Sequence, residues 1–369
     1  MKTRHFFNLL FMAAALSFNA CSSDGGDGDG NGNGNGNGNG NGNGNGNDIT
    51  SITIEISSST ECGIYPGDTV SFIVRGNNNM DLTSQSSISV NGNSVSGNSY
   101  TTTNSDDLEV TATYQSIMSN MLDVNVSEDV ARFAKNVLIE KFTGTWCGYC
   151  PRVSYAIELV EAETDQAFTV SIHSDSDFGC PEVGQLEAAF NIGGYPTSKI
   201  NRGTDWTFPE PNNVDQVVSI TRCSNAELGL AITPQLDGNT MTIKVDAKFN
   251  ELFSFDNTKL TVFILEDDLF ADQENYTSYY GGASTIVNFE HDHVLRESLT
   301  NVTGDAISAN DLTDMIYSRT FTTNVPSNVA DPSKMSVIAF ISSDDFIGTS
   351  QVINSRVAYF GDAQTFEEQ

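Results

Sequence analysis

Positive charge is scarce in this chain of 369 residues: Lys plus Arg number 17 against 48 Asp plus Glu, a formal net charge of −31. A surface this acidic repels phosphate backbones, which argues against nucleic acid as a partner. Beyond the first twenty residues no apolar run approaches the ~18 residues that a membrane-spanning helix requires. Histidine is sparse too, with four in the chain. No second CxxC and no His pair stands at zinc-finger spacing from the one CxxC present, so no metal or other cofactor is expected. Charged residues make up only 18% and hydrophobic ones 38%. The remainder is rich in Asn, Ser, Thr and Gly, as in exported β-rich domains rather than a disordered acidic tail. At this length two or three domains of roughly 100–200 residues are expected.

The amino terminus reads as an address. Lys2 and Arg4, the short apolar stretch from Phe6 to Phe18, and Ala20 before Cys21 fit a secretory signal over residues 1–20. A cysteine in that position resembles the lipobox of bacterial lipoproteins, which implies lipidation of Cys21; the alternative is an exported chain with an unpaired thiol. The residues that follow, Ser22-Ser23-Asp24 and then Gly and Asp, are similar to the acidic patch of surface-exposed Bacteroidetes lipoproteins, which implies an outer-membrane anchor facing outward. From Gly30 to Asn47, Gly and Asn alternate. Such a stretch has nothing to bury and much backbone entropy to lose, so residues 21–47 are expected to be a flexible tether reaching roughly 30 Å. Asp24, Asp27 and Asp29 lack the flanking helix and terminal Glu of a calcium loop.

Three segments follow. Residues 48–127 show period-2 runs such as Ile52-Thr-Ile54-Glu-Ile56, with turn signals at Pro66-Gly67 and Asn91-Gly92. They predict a small immunoglobulin-like sandwich. Residues 130–224 read as strand, helix, strand, helix, strand, strand, helix, with a helical stripe at Val153, Ala156, Ile157 and Val160. That order predicts a thioredoxin-like α/β domain. Residues 225–361 return to period two, in Leu228-Gly-Leu230 and Met241-Thr-Ile243 for example, and predict a second antiparallel sandwich. The expected fold is therefore multidomain: a thioredoxin-like α/β domain between an N-terminal immunoglobulin-like and a C-terminal β-sandwich.

Chemistry points to Cys147 and Cys150 as the catalytic pair. Two cysteines three apart after a strand stand at a helix amino terminus, where unpaired N–H groups favour a thiolate on the first, and the second lies one turn away to resolve a mixed disulfide. A structural disulfide and half of a zinc site are the other readings of the same spacing.

Three stretches carry a family resemblance: Ile139-Glu-Lys-Phe-Thr-Gly-Thr-Trp-Cys-Gly-Tyr-Cys-Pro151, Gly194-Tyr-Pro-Thr197 and Phe289-Glu-His-Asp-His-Val-Leu-Arg296. Together they resemble the thioredoxin-like outer-membrane lipoproteins of Bacteroidetes related to the 28-kDa outer membrane protein, over about residues 129–361. The resemblance implies that Pro196 is cis and faces the cysteines, and that Trp146, Tyr195 and Pro196 line a substrate groove. One position departs from it. Many thioredoxin-like proteins carry a buried carboxylate six residues before the first cysteine, and here that residue is Lys141. A cation there favours thiolate; a side chain that snorkels to solvent does nothing.

Auxiliary candidates are His173, as a proton shuttle or a surface cap, and Cys180, as a second thiol or a buried one. Setting Cys21 and the CxxC aside leaves Cys62, Cys180 and Cys223, an odd number; the expected topology keeps Cys180 and Cys223 too far apart to pair. His291 and His293 suit either a metal or a hydrogen-bonded knot with Arg296, while Tyr276, Tyr279 and Tyr280 suit a binding loop or packing onto the sandwich. Two functions are compatible with these features. One is a surface lipoprotein that exchanges disulfides with extracytoplasmic protein thiols and disulfides; the other is a non-catalytic binding or adhesion lipoprotein.

Overall fold

The computed structural model describes residues 48–58, 60, 62–223, 225–344 and 350–368. The signal, the tether and Cys21 lie outside the described residues.

In the first segment, alternation of apolar and polar side chains builds two small antiparallel sheets. Ile52–Ile56 pairs with Thr69–Gly76, which pairs with Ser99–Thr101; Ser87–Val90 pairs with Leu108–Tyr114. Ile54, Phe72, Val74, Ile88 and Val110 fill the space between them. Asn91 and Gly92 both have positive φ, 48° and 77°, the backbone that a two-residue hairpin turn demands. A disulfide from Cys62 to Cys223 and the Arg132 guanidinium, 4.0 Å from the Tyr65 ring centroid, tie this segment to the rest.

The expected arrangement of a thioredoxin-like domain between two sandwiches does not occur. A nine-stranded sheet runs through Thr204–Asp205, Thr197–Ile200, Val137–Thr143, Ala167–His173, Val294–Ser298, Thr258–Glu266, Met335–Asp344 and Ser350–Tyr359, with Asp305–Ala306 beside Thr258–Glu266. The strands on either side of the presumed boundary at residue 224 thus share one sheet. The join lies at Ala167–His173, whose outer edge would be unpaired in a separate domain. Instead the Ser171 N–H donates to the His293 carbonyl at 2.8 Å, and Val294–Ser298 continues the sheet. Burying that edge satisfies backbone groups and removes a site for unwanted pairing.

Each face of the shared sheet has its own cover. On one side Val137 and Ile139 pack against Val153, Ala156 and Val160 of α1 (Cys150–Glu163). On the other, Leu138, Val170 and Ile172 meet Phe263, Ile338, Phe340 and Leu186 of α2 (Val183–Ala189). Farther along, Val262, Ile264 and Val337 pack on Leu230, Ile243 and Val245 of a three-stranded sheet, Leu228–Asp237, Thr240–Phe249 and Ile316–Asn324. Fully buried Glu140 is matched by the equally buried Arg202, at 2.9 Å, whose guanidinium also lies over the Phe340 ring. A buried carboxylate needs such a partner, and this one is committed to the sheet rather than to the cysteines.

Candidate functional site: a disulfide at the start of a helix

The Val137–Thr143 strand delivers the chain to Gly144-Thr-Trp-Cys, and α1 begins at Cys150 with Pro151 in its first turn, where a missing N–H costs nothing. Cys147 and Cys150 form a disulfide with Cα atoms 5.4 Å apart. Both are buried, 3% and 1% exposed, although the residue before each, Trp146 and Tyr149, is half exposed at 52% and 54%. The Tyr195–Pro196 peptide is cis. Tyr195 places its ring edge to face with Trp146, centroids 5.4 Å apart, and its hydroxyl bonds the Glu187 carboxylate. Trp146, Cys147, Cys150 and Tyr195 thus come together, with Pro196 joined to Tyr195.

Of the auxiliary candidates, Lys141 is buried rather than snorkelled. Its Nζ lies 3.1 Å from Ser154 Oγ, in a cavity of about 80 Å³ walled also by Glu158, Glu161, Asp292 and His293. Burial pulls its pKa down to about 8, against the opposing pull of Asp292, Glu161 and Glu158. His173 is also buried. Its Nδ1 is 2.9 Å from Asp175 Oδ2, and burial holds the ring below the ordinary histidine range while Asp175 opposes that shift. Cys180 is half-buried and, among the described residues, the one free cysteine. Burial and the Glu182 carboxylate push its thiol up to about 12, so it stays protonated at neutral pH. Cys223 bonds Cys62 and not Cys180.

The two late histidines part company. His291 ends the Thr285–His291 strand and turns inward, its ring 5.1 Å from that of His173. At His293 a positive φ of 57° reverses the chain, and its ring meets Asp267 at 3.1 Å and Glu161 at 3.5 Å. Arg296 pairs with Glu266 at 3.2 Å and does not join a knot with either histidine. The tyrosines pack on α1 rather than on a sandwich: Tyr279 stacks on Tyr155 at 4.7 Å, and the Tyr280 hydroxyl donates to Glu158 at 2.6 Å.

Sequence reasoning missed Asp175 and Gln273. Asp175 Oδ2 receives the Thr145 N–H at 2.9 Å as well as the His173 ring, and so links the Ala167–His173 strand to the cysteine loop. Its position two residues after His173 was the available signal. Gln273 offered none, as a lone amide in a strand remote from the cysteines.

Residues 183–361 match the family model of the outer membrane protein Omp28. Over that span, just under half of the chain, the protein is similar to the Omp28 outer membrane proteins. The Omp28 match opens at Val183 and does not reach the Trp-Cys-x-x-Cys motif, on which the thioredoxin-like part of the resemblance rests. Among solved structures, HBP35 of Porphyromonas gingivalis is 21% identical, with a TM-score of 0.51 over 63% of this chain and 77% of that one, a likeness of fold. A domain of the outer membrane lipoprotein Omp28 from Porphyromonas gingivalis is 14% identical, with a TM-score of 0.24 over 38% of this chain and 92% of that one. No curated protein matches the chain.

Proposed function

We propose that this outer-membrane protein exchanges disulfides with extracytoplasmic proteins through Cys147 and Cys150, held at the cell surface by lipid on Cys21. The observation that carries this reading is a disulfide at the first turn of α1 whose flanking residues, Trp146 and Tyr149, are exposed aromatics. In the reduced protein, the unpaired N–H groups at the start of α1 favour a Cys147 thiolate. That thiolate attacks one sulfur of a substrate disulfide; the other leaves as a thiolate and takes a proton from water. Cys150, once deprotonated, attacks the Cys147 sulfur, closes the 147–150 disulfide and releases the second substrate thiol. The substrate disulfide is reduced, the protein dithiol is oxidised, and the reverse sequence oxidises a substrate.

Serine at position 150 removes the resolving step. The reduced Cys150→Ser variant is expected to accumulate a mixed disulfide between Cys147 and a disulfide-bonded test protein, seen as a mass increase that dithiothreitol reverses. Absence of any such adduct counts against exchange. A second reading, in which the disulfide only fixes the loop of a binding protein, is favoured by the burial of both cysteines; the two differ in reduction potential.

A further inference from the structure

The cysteine loop is crossed by a hairpin from the C-terminal segment, strands Leu269–Glu274 and Thr285–His291. Gln273 is 2% exposed. Its carboxamide NH₂ lies 3.3, 3.1 and 3.0 Å from the carbonyls of Gly144, Thr145 and Cys147, and 3.0 Å from that of Glu274, which share its two hydrogens. Two backbone bonds run alongside: the Glu274 N–H to the Thr145 carbonyl at 2.8 Å, and the Tyr276 N–H to the Gly148 carbonyl at 2.6 Å. Gly148 is what lets the strap lie so close. A Cβ at that position would stand 2.3 Å from a carbon of the Tyr276 ring. The ring itself is 63% exposed and meets Tyr149 edge to face at 5.6 Å. Tyr279 on Tyr155 and Tyr280 on Glu158 then pin the hairpin tip to α1.

The three loop carbonyls each keep a backbone donor as well: Cys147 N–H on Gly144 at 3.0 Å, Glu274 N–H on Thr145 at 2.8 Å and Cys150 N–H on Cys147 at 3.1 Å. The buried amide therefore acts as a shared clamp that fixes their spacing, and its own hydrogens would be costly to leave without acceptors. A loop bearing two half-exposed aromatics would also be expected to expose its cysteines, yet both are covered. We infer that the strap is part of the disulfide site: Gln273 is a positioning residue for the Cys147–Cys150 loop, and Tyr276 determines which thiols reach the Cys147 sulfur. The inference rests on the exchange reading in taking Cys147 as the attacked atom.

The test uses the oxidised full chain, with small thiols as probes and mass analysis that separates the 147–150 bond from the 62–223 bond. A dithiothreitol thiolate attacks Cys147 and releases Cys150, which is protonated. The second dithiothreitol sulfur then displaces Cys147 and closes a cyclic disulfide. With glutathione, a second molecule completes the displacement and oxidised glutathione is formed. Tyr276→Ala is expected to speed attack about tenfold, more with bulkier glutathione than with dithiothreitol, because rate follows access. Tyr276→Phe keeps the ring and should keep the wild-type rate. Gln273→Ala should change the exchange equilibrium of the pair about tenfold, or about 30 mV. A Tyr276→Ala rate within twofold of wild type, or an unchanged equilibrium in folded Gln273→Ala, overturns the assignment. Rate differences that persist in a chain unable to form mixed disulfides with proteins would instead overturn the exchange reading and leave the strap standing.

Discussion

Cys147→Ser is expected to remove all exchange with protein disulfides, to the level of the uncatalysed reaction, while Cys180→Ser leaves it unchanged. The contrast follows from the two environments. Cys147 stands just before α1, where the first-turn N–H groups can stabilise a thiolate; Cys180 sits beside the Glu182 carboxylate with its thiol pushed up to about 12. At pH 7 a thiol of that pKa is ionised to roughly one part in 10⁵, too little to stand in for the nucleophile. Turnover of a disulfide-bonded polypeptide with a thiol as electron donor gives the comparison. Activity retained by Cys147→Ser would mean that exchange, where it occurs, uses another sulfur.

The second large effect is loss of stability in mild acid, carried by His291. Burial pulls this ring down to about 3, with His173 and Lys141 adding to the shift and Asp175 opposing it. Its Nε2 is buried without a hydrogen-bond partner, and the rings of Phe178 and Phe289 stand 5.0 and 5.1 Å away. Above pH 6.5 the ring is neutral in both folded and unfolded chains and contributes nothing to the pH dependence. As pH falls below 6.5 the unfolded chain takes up a proton that the folded one refuses, so stability is lost progressively down to about pH 3. The loss amounts to about 2 kcal/mol at pH 5 and reaches a ceiling of roughly 5 kcal/mol. His291→Phe suits an aromatic surround and should remove the His291 share of that slope, leaving the share of His173, which burial also holds low. Glu158 and Asp292, raised by burial, contribute the opposite slope at lower pH and cancel in the difference between the two proteins. Denaturant unfolding of both chains at pH 7.5 and pH 5 makes the comparison; equal losses in the two would place the acid sensitivity elsewhere. The protonation of His293 acts in another window. Burial opposes it, yet Asp267 and Glu161 raise its pKa to about 10, so what it adds is complete below pH 6.5 and fades as pH rises toward 10.

What could be read from the residue string was local. The stripe of Val153, Ala156, Ile157 and Val160 fixes which face of α1 is buried, and a CxxC before that stripe puts a disulfide at its first turn, because helical spacing is a property of neighbouring residues. Strand alternation, by contrast, tells which face of a strand is buried and says nothing about its neighbour. The 294–298 stretch reads as a strand equally well in a separate sandwich or beside Ala167–His173, and only the long-range pairing distinguishes them. Cys62 and Cys223 pair across 161 residues, and the Gln273 amide meets Cys147 across 126. Spacing encodes neither contact, and a glutamine carries no chemical signature that would single it out.

The most direct test of the account is the equilibrium reduction potential of Cys147 and Cys150, measured in the full chain against defined thiol buffers by labelling of those two residues. A value between about −270 and −120 mV, the span of known dithiol exchangers, is the predicted result. A value below about −300 mV would identify a structural disulfide and contradict exchange at this site.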